Sequence, residues 1–224
     1  MQKEQTYRAW LWIFVVIILI GAVAAMVRLV QTSDGQGTRD TSSILASITP
    51  EDWVLGNASS TVTITEYGDF QCPACASYEP LLRAIEKEYS TRVRFVFRHF
   101  PLQQHPNARP AAMATEAAGA QGKFWEMHDL IYDKQRDWET SSNAEAIFIT
   151  YAETLKLSVN AFKDGLNSKV LSRKISDSYQ SGLLFNVNGT PTFFLNNEKI
   201  DTPRNLVEFK TLLDNALNAT TTTK

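Results

Sequence analysis

Cys72 and Cys75 are the only two cysteines among 224 residues, and they stand three apart in the run Tyr67-Gly68-Asp69-Phe70-Gln71-Cys72-Pro73-Ala74-Cys75. A disulfide between them closes a minimal loop, and the stabilisation from a disulfide grows with loop length, so the pair is poorly suited to stapling a fold. It is well suited to reversible oxidation, because on a helix the second thiol comes within reach of the first. The attacking species in thiol–disulfide exchange is a thiolate, which needs a lowered pKa. Cys72 falls where a loop enters a helix, so its sulfur faces the unpaired N–H groups and the positive dipole end of that helix. Pro73 suits the first helical turn, gives up no needed donor and stiffens the loop. Cys75, one turn deeper, fits a resolving thiol. Stabilising the Cys72 thiolate stabilises the reduced pair and makes its disulfide more oxidising.

Two other positions have chemistry to offer. Thr190-Pro191 follows Gly189 at the mouth of a strand-like run, Thr192-Phe193-Phe194-Leu195, where an ordinary central-strand residue cannot be proline. X–Pro bonds are where cis peptides occur, and a cis turn beside the sulfur frees the Thr190 backbone to pair with an extended substrate; a trans proline in an edge loop is the alternative. Glu66 shares a strand face with Val62 and Ile64 by period-two counting. It is either a surface residue out of phase or a buried carboxylate that accepts and returns a proton. A zinc or copper site needs four ligands, and only His99, His105 and His128 offer nitrogen beside the two sulfurs.

The elements that position these residues follow from hydrophobic period. Thr61–Tyr67 and Arg92–Arg98 alternate as strands, and Pro73–Tyr89 carries Tyr78, Leu81, Leu82, Ile85 and Tyr89 at helical spacing. Strand, helix, strand is a βαβ unit with parallel strands and a right-handed crossover. From about Asn107 to Phe185 the chain is helical by pattern: the alanine-rich run Ala111–Ala120, then Lys123–Gln135, Asn143–Leu155, Ser158–Leu166 and Val170–Leu184, with Ser142 and Ser158 as expected N-caps. Strand character returns at Thr192–Leu195 and at Lys199-Ile200, and a last helix spans about Pro203–Leu217. The fold class is α/β, with an all-helical insertion over about residues 105–185.

Hydrophobic content of 44%, charged content of 21% and a net charge of −2 are those of an ordinary globular protein, with no basic patch for nucleic acid. Ala9–Val27 is uncharged and apolar, long enough at about 1.5 Å per residue to reach across a hydrocarbon core roughly 30 Å thick. Residues 9–30 therefore read as a transmembrane anchor or uncleaved signal. Trp10 and Trp12 sit at the interface, and Lys3 and Arg8 hold residues 1–8 in the cytoplasm. Cleavage of a signal peptide near Ala22 and Ala24 is the competing reading. Either way the cysteines lie outside the cytoplasm, where disulfides persist. Residues 31–48 read as a flexible linker, 49–218 as the folded domain and 219–224 as a disordered tail.

The combination resembles the DsbA-like thiol–disulfide oxidoreductases of the thioredoxin superfamily, in particular the membrane-anchored BdbD-like type. The landmarks are Glu66 to Cys75, Phe97-Arg-His-Phe-Pro-Leu102 with His105-Pro106, Gln121-Gly-Lys-Phe-Trp-Glu-Met-His128, and Val187-Asn-Gly-Thr-Pro-Thr-Phe193. The resemblance covers about Asp52 to Leu217 and implies a thioredoxin fold, βαβ…ββα, with the helical insertion between its halves. It implies that Cys72 is the nucleophile that forms the mixed disulfide and Cys75 the resolving cysteine. It likewise implies that Pro191 is the cis-proline, Thr190 a tuner of potential and substrate contact, and Glu66 a buried acid in proton transfer. Pro73 and Ala74 are the redox-tuning pair inside the motif. Strongly oxidising members carry histidine where this chain has Ala74, so one source of thiolate stabilisation is missing. The implied partners are exported proteins with reduced cysteines and a quinone-linked membrane reoxidase of the DsbB or VKOR-like kind, with no cofactor beyond the Cys72–Cys75 disulfide. Some members bind calcium; this chain has no compact acidic ligand loop, and no metal is assigned. A reductase or isomerase on the same fold, or a metal-binding or chaperone-like domain, are the rival functions.

Overall fold

Short apolar and β-branched runs pair into one mixed sheet in the computed structural model, which describes residues 48–221 together with Ile18, Leu19, Gly21 and Ala25. The strands are β1 (Trp53–Gly56), β2 (Thr63–Gly68), β3 (Arg94–His99), β4 (Thr192–Leu195) and β5 (Glu198–Ile200). Their order across the sheet is β1-β3-β2-β4-β5, with β2 and β3 parallel and every other pair antiparallel. The crossover between β2 and β3 is α1 (Pro73–Tyr89), so the βαβ unit stands as the sequence has it. Both strands begin two residues later than their alternation suggests. The Ser60 hydroxyl explains this locally: it lies 2.6 Å from Arg92 O and 3.0 Å from both the N–H and the carbonyl of Val62, tying the two strand entrances together ahead of the ladder.

β1 was not legible as a strand. Its four residues show no alternation, and the edge of β3 supplies the pairing, Trp53 opposite Phe97 and Gly56 opposite Arg94. The bidentate pair Arg98 to Asp52, both contacts 2.8 Å, anchors the segment just before it.

The insertion comprises α2 (Ala108–Gly119), α3 (Phe124–Asp133), α4 (Gln135–Trp138), α5 (Ala144–Thr154), α6 (Val159–Leu166) and α7 (Lys169–Leu184). The expected single helix from Lys123 to Gln135 is broken at Lys134. There the Trp138 indole N–H donates to Ile131 O at 2.9 Å, taking a carbonyl that the next helical turn would otherwise use. Ser158 caps α6 as expected and Ser168 caps α7, each accepting from the N–H three residues on. The cap of α5 is Asn143 rather than Ser142, its side chain accepting from Ala146 N. The final helix, α8 (Leu206–Thr221), runs past Leu217 into the stretch expected as a tail; residues 222–224 lie outside the described residues.

Two apolar cores meet at α1. Leu82, Ile85 and Tyr89 pack with Val62, Ile64, Phe95 and Phe193 of the sheet and Phe209 and Leu213 of α8. At the other end, Cys72 and Cys75 belong to the core of the helical insertion, with Phe70, Phe124, Ile131 and Trp138. The membrane-anchor reading of residues 9–30 lies outside the described residues except at Ile18, Leu19, Gly21 and Ala25, all helical. Among the described residues no helix is long and apolar enough to cross a membrane.

Candidate active site

Cys72 is the N-cap of α1, with Pro73 at the first helical position and the extended backbone angles a cap residue needs. The helix leaves its first N–H groups unpaired, and they converge on the Cys72 sulfur. That sulfur is 7% exposed, whereas Cys75 is fully enclosed, so an incoming substrate meets Cys72 first. Both cysteines are present as free thiols.

Their environments push the two thiols apart. The Cys72 pKa falls to about 5, chiefly through a hydrogen bond from the Cys75 thiol, against the opposing cost of burial. Thr190 and the backbone N–H groups of Cys75 and Ala74 lower it further. Cys75 is pushed well above the ordinary thiol range by burial first, then by its bond to Cys72 and by the charge of Glu66. Such a split gives one thiol the role of nucleophile and leaves the other a proton holder at neutral pH.

The Thr190–Pro191 bond is cis, and its loop lies against the nucleophile. As a thiol, Cys72 Sγ donates to Thr190 O at 3.3 Å. A thiolate cannot donate, and the lowered pKa reflects the Thr190 side chain acting as donor in that state. The Thr190 hydroxyl is buried and has no other partner among the described residues, so it is available for that bond. Glu66, on β2, is 7% exposed and not a surface residue. Burial raises its pKa to about 8, with the charges of Glu86 and Cys72 adding to it. Pro73 and Ala74 are exposed beside the sulfur. The fold therefore brings together every residue the sequence singled out.

It also recruits residues that the sequence reading passed over. The Asp69 carboxylate, 1% exposed, accepts from Gln71 N at 2.7 Å and Leu102 N at 2.8 Å, and lies 2.7 Å from His105 Nδ1. Gln135, placed inward by the break between α3 and α4, donates to Phe70 O at 2.7 Å and Cys72 O at 3.0 Å. Asn107 donates from its backbone to Gln71 Oε1 at 2.6 Å and from its side chain to three carbonyls of the α4–α5 connection. The helical insertion thus grips the loop that carries Cys72. Gly68 completes the approach: a Cβ there would lie 2.5 Å from the Phe97 ring.

The three histidines are engaged away from the sulfurs, His99 with Glu116, His105 with Asp69 and His128 with Asp129. Among the described residues, one group brings three ligand-type atoms within 4.8 Å: Glu79, His128 and Asp129. The Arg83 guanidinium already serves that spot as a cation, with Nε 3.6 Å from Glu79 and 3.8 Å from Asp129. A larger cleft of about 480 Å³, lined in part by Trp53, Arg98, His99, Glu116 and Lys174, shares no wall with the cysteine pair.

Residues 48–215 match a family model described as thioredoxin. The oxidised BdbD structure from Bacillus subtilis is 24% identical, covering 75% of this chain and 94% of that one, with a TM-score of 0.67. The alpha-DsbA1 structure from Wolbachia pipientis is 20% identical, covering 80% and 96%, with a TM-score of 0.72. A curated relative, the Na(+)/H(+) antiporter NhaA 1 of Salinispora arenicola, is 39% identical over 158 residues, which are 70% of this chain and 23% of the antiporter. The chain thus spans about a quarter of the length of the curated relatives it matches.

Proposed function

The chain belongs to the thioredoxin family of thiol–disulfide oxidoreductases, and from that premise we propose that it is a dithiol oxidase that introduces disulfide bonds into exported proteins. A substrate thiolate attacks Cys72 Sγ of the oxidised pair, the Cys72–Cys75 bond breaks, and Cys75 leaves with the electron pair and takes up a proton. A second substrate thiolate then attacks the substrate sulfur of the mixed disulfide and expels Cys72 as a thiolate. The substrate has lost two electrons and the pair has gained them. A quinone-linked membrane protein of the DsbB or VKOR-like kind takes them away, and an N-terminal membrane anchor keeps the domain outside the cytoplasm beside it.

One observation carries the direction of this reading: the Cys72 thiolate is strongly stabilised. A pKa of about 5 leaves roughly 99% of Cys72 ionised at neutral pH, against about 1% for an ordinary thiol. The disulfide has no such charge to stabilise, so the reduced state gains and the disulfide becomes a better oxidant. A reductase on the same fold needs the opposite balance. The Na(+)/H(+) antiport named for the curated relatives is not carried over, because the match covers so small a part of those proteins.

Equilibration of the Cys72–Cys75 couple with glutathione tests the direction. A reduction potential toward about −120 mV is expected, and one near about −270 mV overturns the oxidase in favour of a reductase.

A further inference from the structure

Beneath the cysteine pair, α1 and α3 (Phe124–Asp133) enclose acids that the exchange steps leave unused. A small internal cavity, about 20 Å³ for the centre of a water-sized sphere, is lined by Glu66 of β2, Glu79 and Glu86 of α1 and His128 of α3, and closed by apolar side chains that include Phe97, Trp125 and Phe193. A single water needs roughly 10–15 Å³ on that measure and two to four polar partners. Glu66 Oε1, Glu79 Oε1 and His128 Nε2 are all buried with no hydrogen-bond partner among the described residues. Their residues are 7%, 3% and 4% exposed, and atoms of this kind are almost always paired. His128 Nε2 stands 3.9 Å from Glu79 Oε1, too far for a direct hydrogen bond.

The far side of the histidine reaches solvent. His128 Nδ1 lies 3.0 Å from Asp129 Oδ1, and the Asp129 side chain is 49% exposed. Donation from Nδ1–H to that carboxylate leaves Nε2 as the acceptor facing the cavity, so the ring can take a proton on one nitrogen and release one from the other. The groups around this line are Tyr78, Arg83 and the two cysteines from α1, and Tyr132 and Asp133 from α3; β4 contributes only the uncharged Phe193. Arg83 bonds Asp133 at 2.8 Å and lies outside the path.

We propose that Glu79 and His128 form a buried proton path that carries the Cys75 proton from Glu66, through one water in this cavity, to Asp129 at the surface. The path rests on the reading of Cys75 as the resolving thiol. When Cys75 attacks the mixed disulfide, its S–H bond breaks and Glu66 takes the proton. Glu66 then passes a proton to the water, the water passes one to Glu79 or His128 Nε2, and His128 releases its Nδ1 proton by way of Asp129. One proton leaves the thiol and one reaches solvent, and the oxidation of substrate runs the same line inward. The need is physical: Glu66 holds its own proton up to about pH 8, so in the reduced protein it must be emptied before it can accept another. Glu79 and His128 are positioning residues in this scheme, acting through Glu66 rather than on sulfur.

The test isolates the Cys75 step. Reduced protein is mixed with oxidised glutathione, and release of glutathione from the Cys72 mixed disulfide is followed across pH, with Cys72 alkylation measured in parallel. In His128→Gln the release slows by about tenfold or more near pH 6–7, the low side of the roughly 10²–10⁴-fold that a positioned proton-transfer group contributes. The gap closes at alkaline pH, where hydroxide removes the proton, and alkylation of Cys72 is unchanged. The double variant Glu66→Gln with His128→Gln is no slower than Glu66→Gln alone, because both act on one path. Asp129→Asn, at a half-exposed site that leaves the core intact, slows release in the same pH range. A His128→Gln profile that superimposes on the parent's, or single effects that multiply, overturns the path. The measurement reads Cys75 in either direction of exchange, so a reducing potential sinks the oxidase without touching the path, and a flat profile does the reverse.

Discussion

Replacing Thr190 by valine removes one hydroxyl and keeps the side-chain shape, which makes it a clean probe of what holds the Cys72 thiolate. The hydroxyl is buried beside the sulfur and has no other partner among the described residues, so its loss strands no second group. A hydrogen bond to a charged group is worth about 1.5–3 kcal/mol. At about 1.36 kcal/mol per pKa unit, removing it raises the Cys72 pKa by roughly 1–2 units. The value of about 5 should therefore climb to about 6–7. The same free energy is lost from the reduced state and not from the disulfide, so the reduction potential falls by about 30–60 mV. Thiolate absorbance titrated against pH gives the first number, and glutathione equilibrium gives the second. The Cys75 hydrogen bond and the α1 amides remain, which is why the pKa should stop well short of an unperturbed thiol. A change below about 0.3 unit, or a raised pKa with no fall in potential, refutes the reasoning.

Two further outcomes follow from burial. Gln135→Ala leaves Phe70 O and Cys72 O without their donor, at a cost of about 2–3 kcal/mol. Thermal unfolding should show this as a fall in Tm of roughly 4–12 °C, with Cys72 alkylation altered because the loop is loosened; an unchanged Tm would show that the grip of the insertion contributes nothing. Glu66→Gln tests the raised carboxyl through stability in the disulfide form, where the thiols do not titrate. The folded pKa of about 8 lies above the ordinary 4.5, so stability is full below about pH 4.5 and is lost as pH climbs through about 8. Denaturant unfolding should show the parent losing on the order of 2 kcal/mol more than Glu66→Gln between about pH 5 and 9, and parallel curves would place the Glu66 carboxyl in water.

How much of this was legible in sequence depends on which residues signal their own structure. Pro73 at a helix start and apolar residues at helical spacing returned α1 with both ends correct. β1 carries no comparable signal, because its strand character comes from the β3 edge. The buried acids divide in the same way. Cys75, Glu79, Leu82 and Tyr89 step by four, three and seven along one buried face of α1, so Glu79 sits on the core stripe, and that spacing was available to a reader. Asp69, Asn107 and Gln135 could not be found by any periodicity. Their work is to bond backbone groups distant in sequence, 28 to 65 residues away where the reach is longest, and only the fold brings those groups near.

Ala74 marks the point where the sequence reading left the direction of exchange most open, and the geometry there changes the question. The missing imidazole would have offered the thiolate a mobile charge; in its place Ala74 contributes a backbone N–H, beside that of Cys75, the Cys75 thiol and Thr190. These donors are fixed dipoles held by the helix and by covalent neighbours, so they need no counter-charge and are little screened by salt. The largest of them, the Cys75 thiol, exists only in the reduced pair and disappears when the disulfide forms. The device that lowers the Cys72 pKa is thus tied to the redox state itself. A histidine would still have stood beside the disulfide in the oxidised protein, whereas here much of the stabilisation arrives with the two electrons and leaves with them.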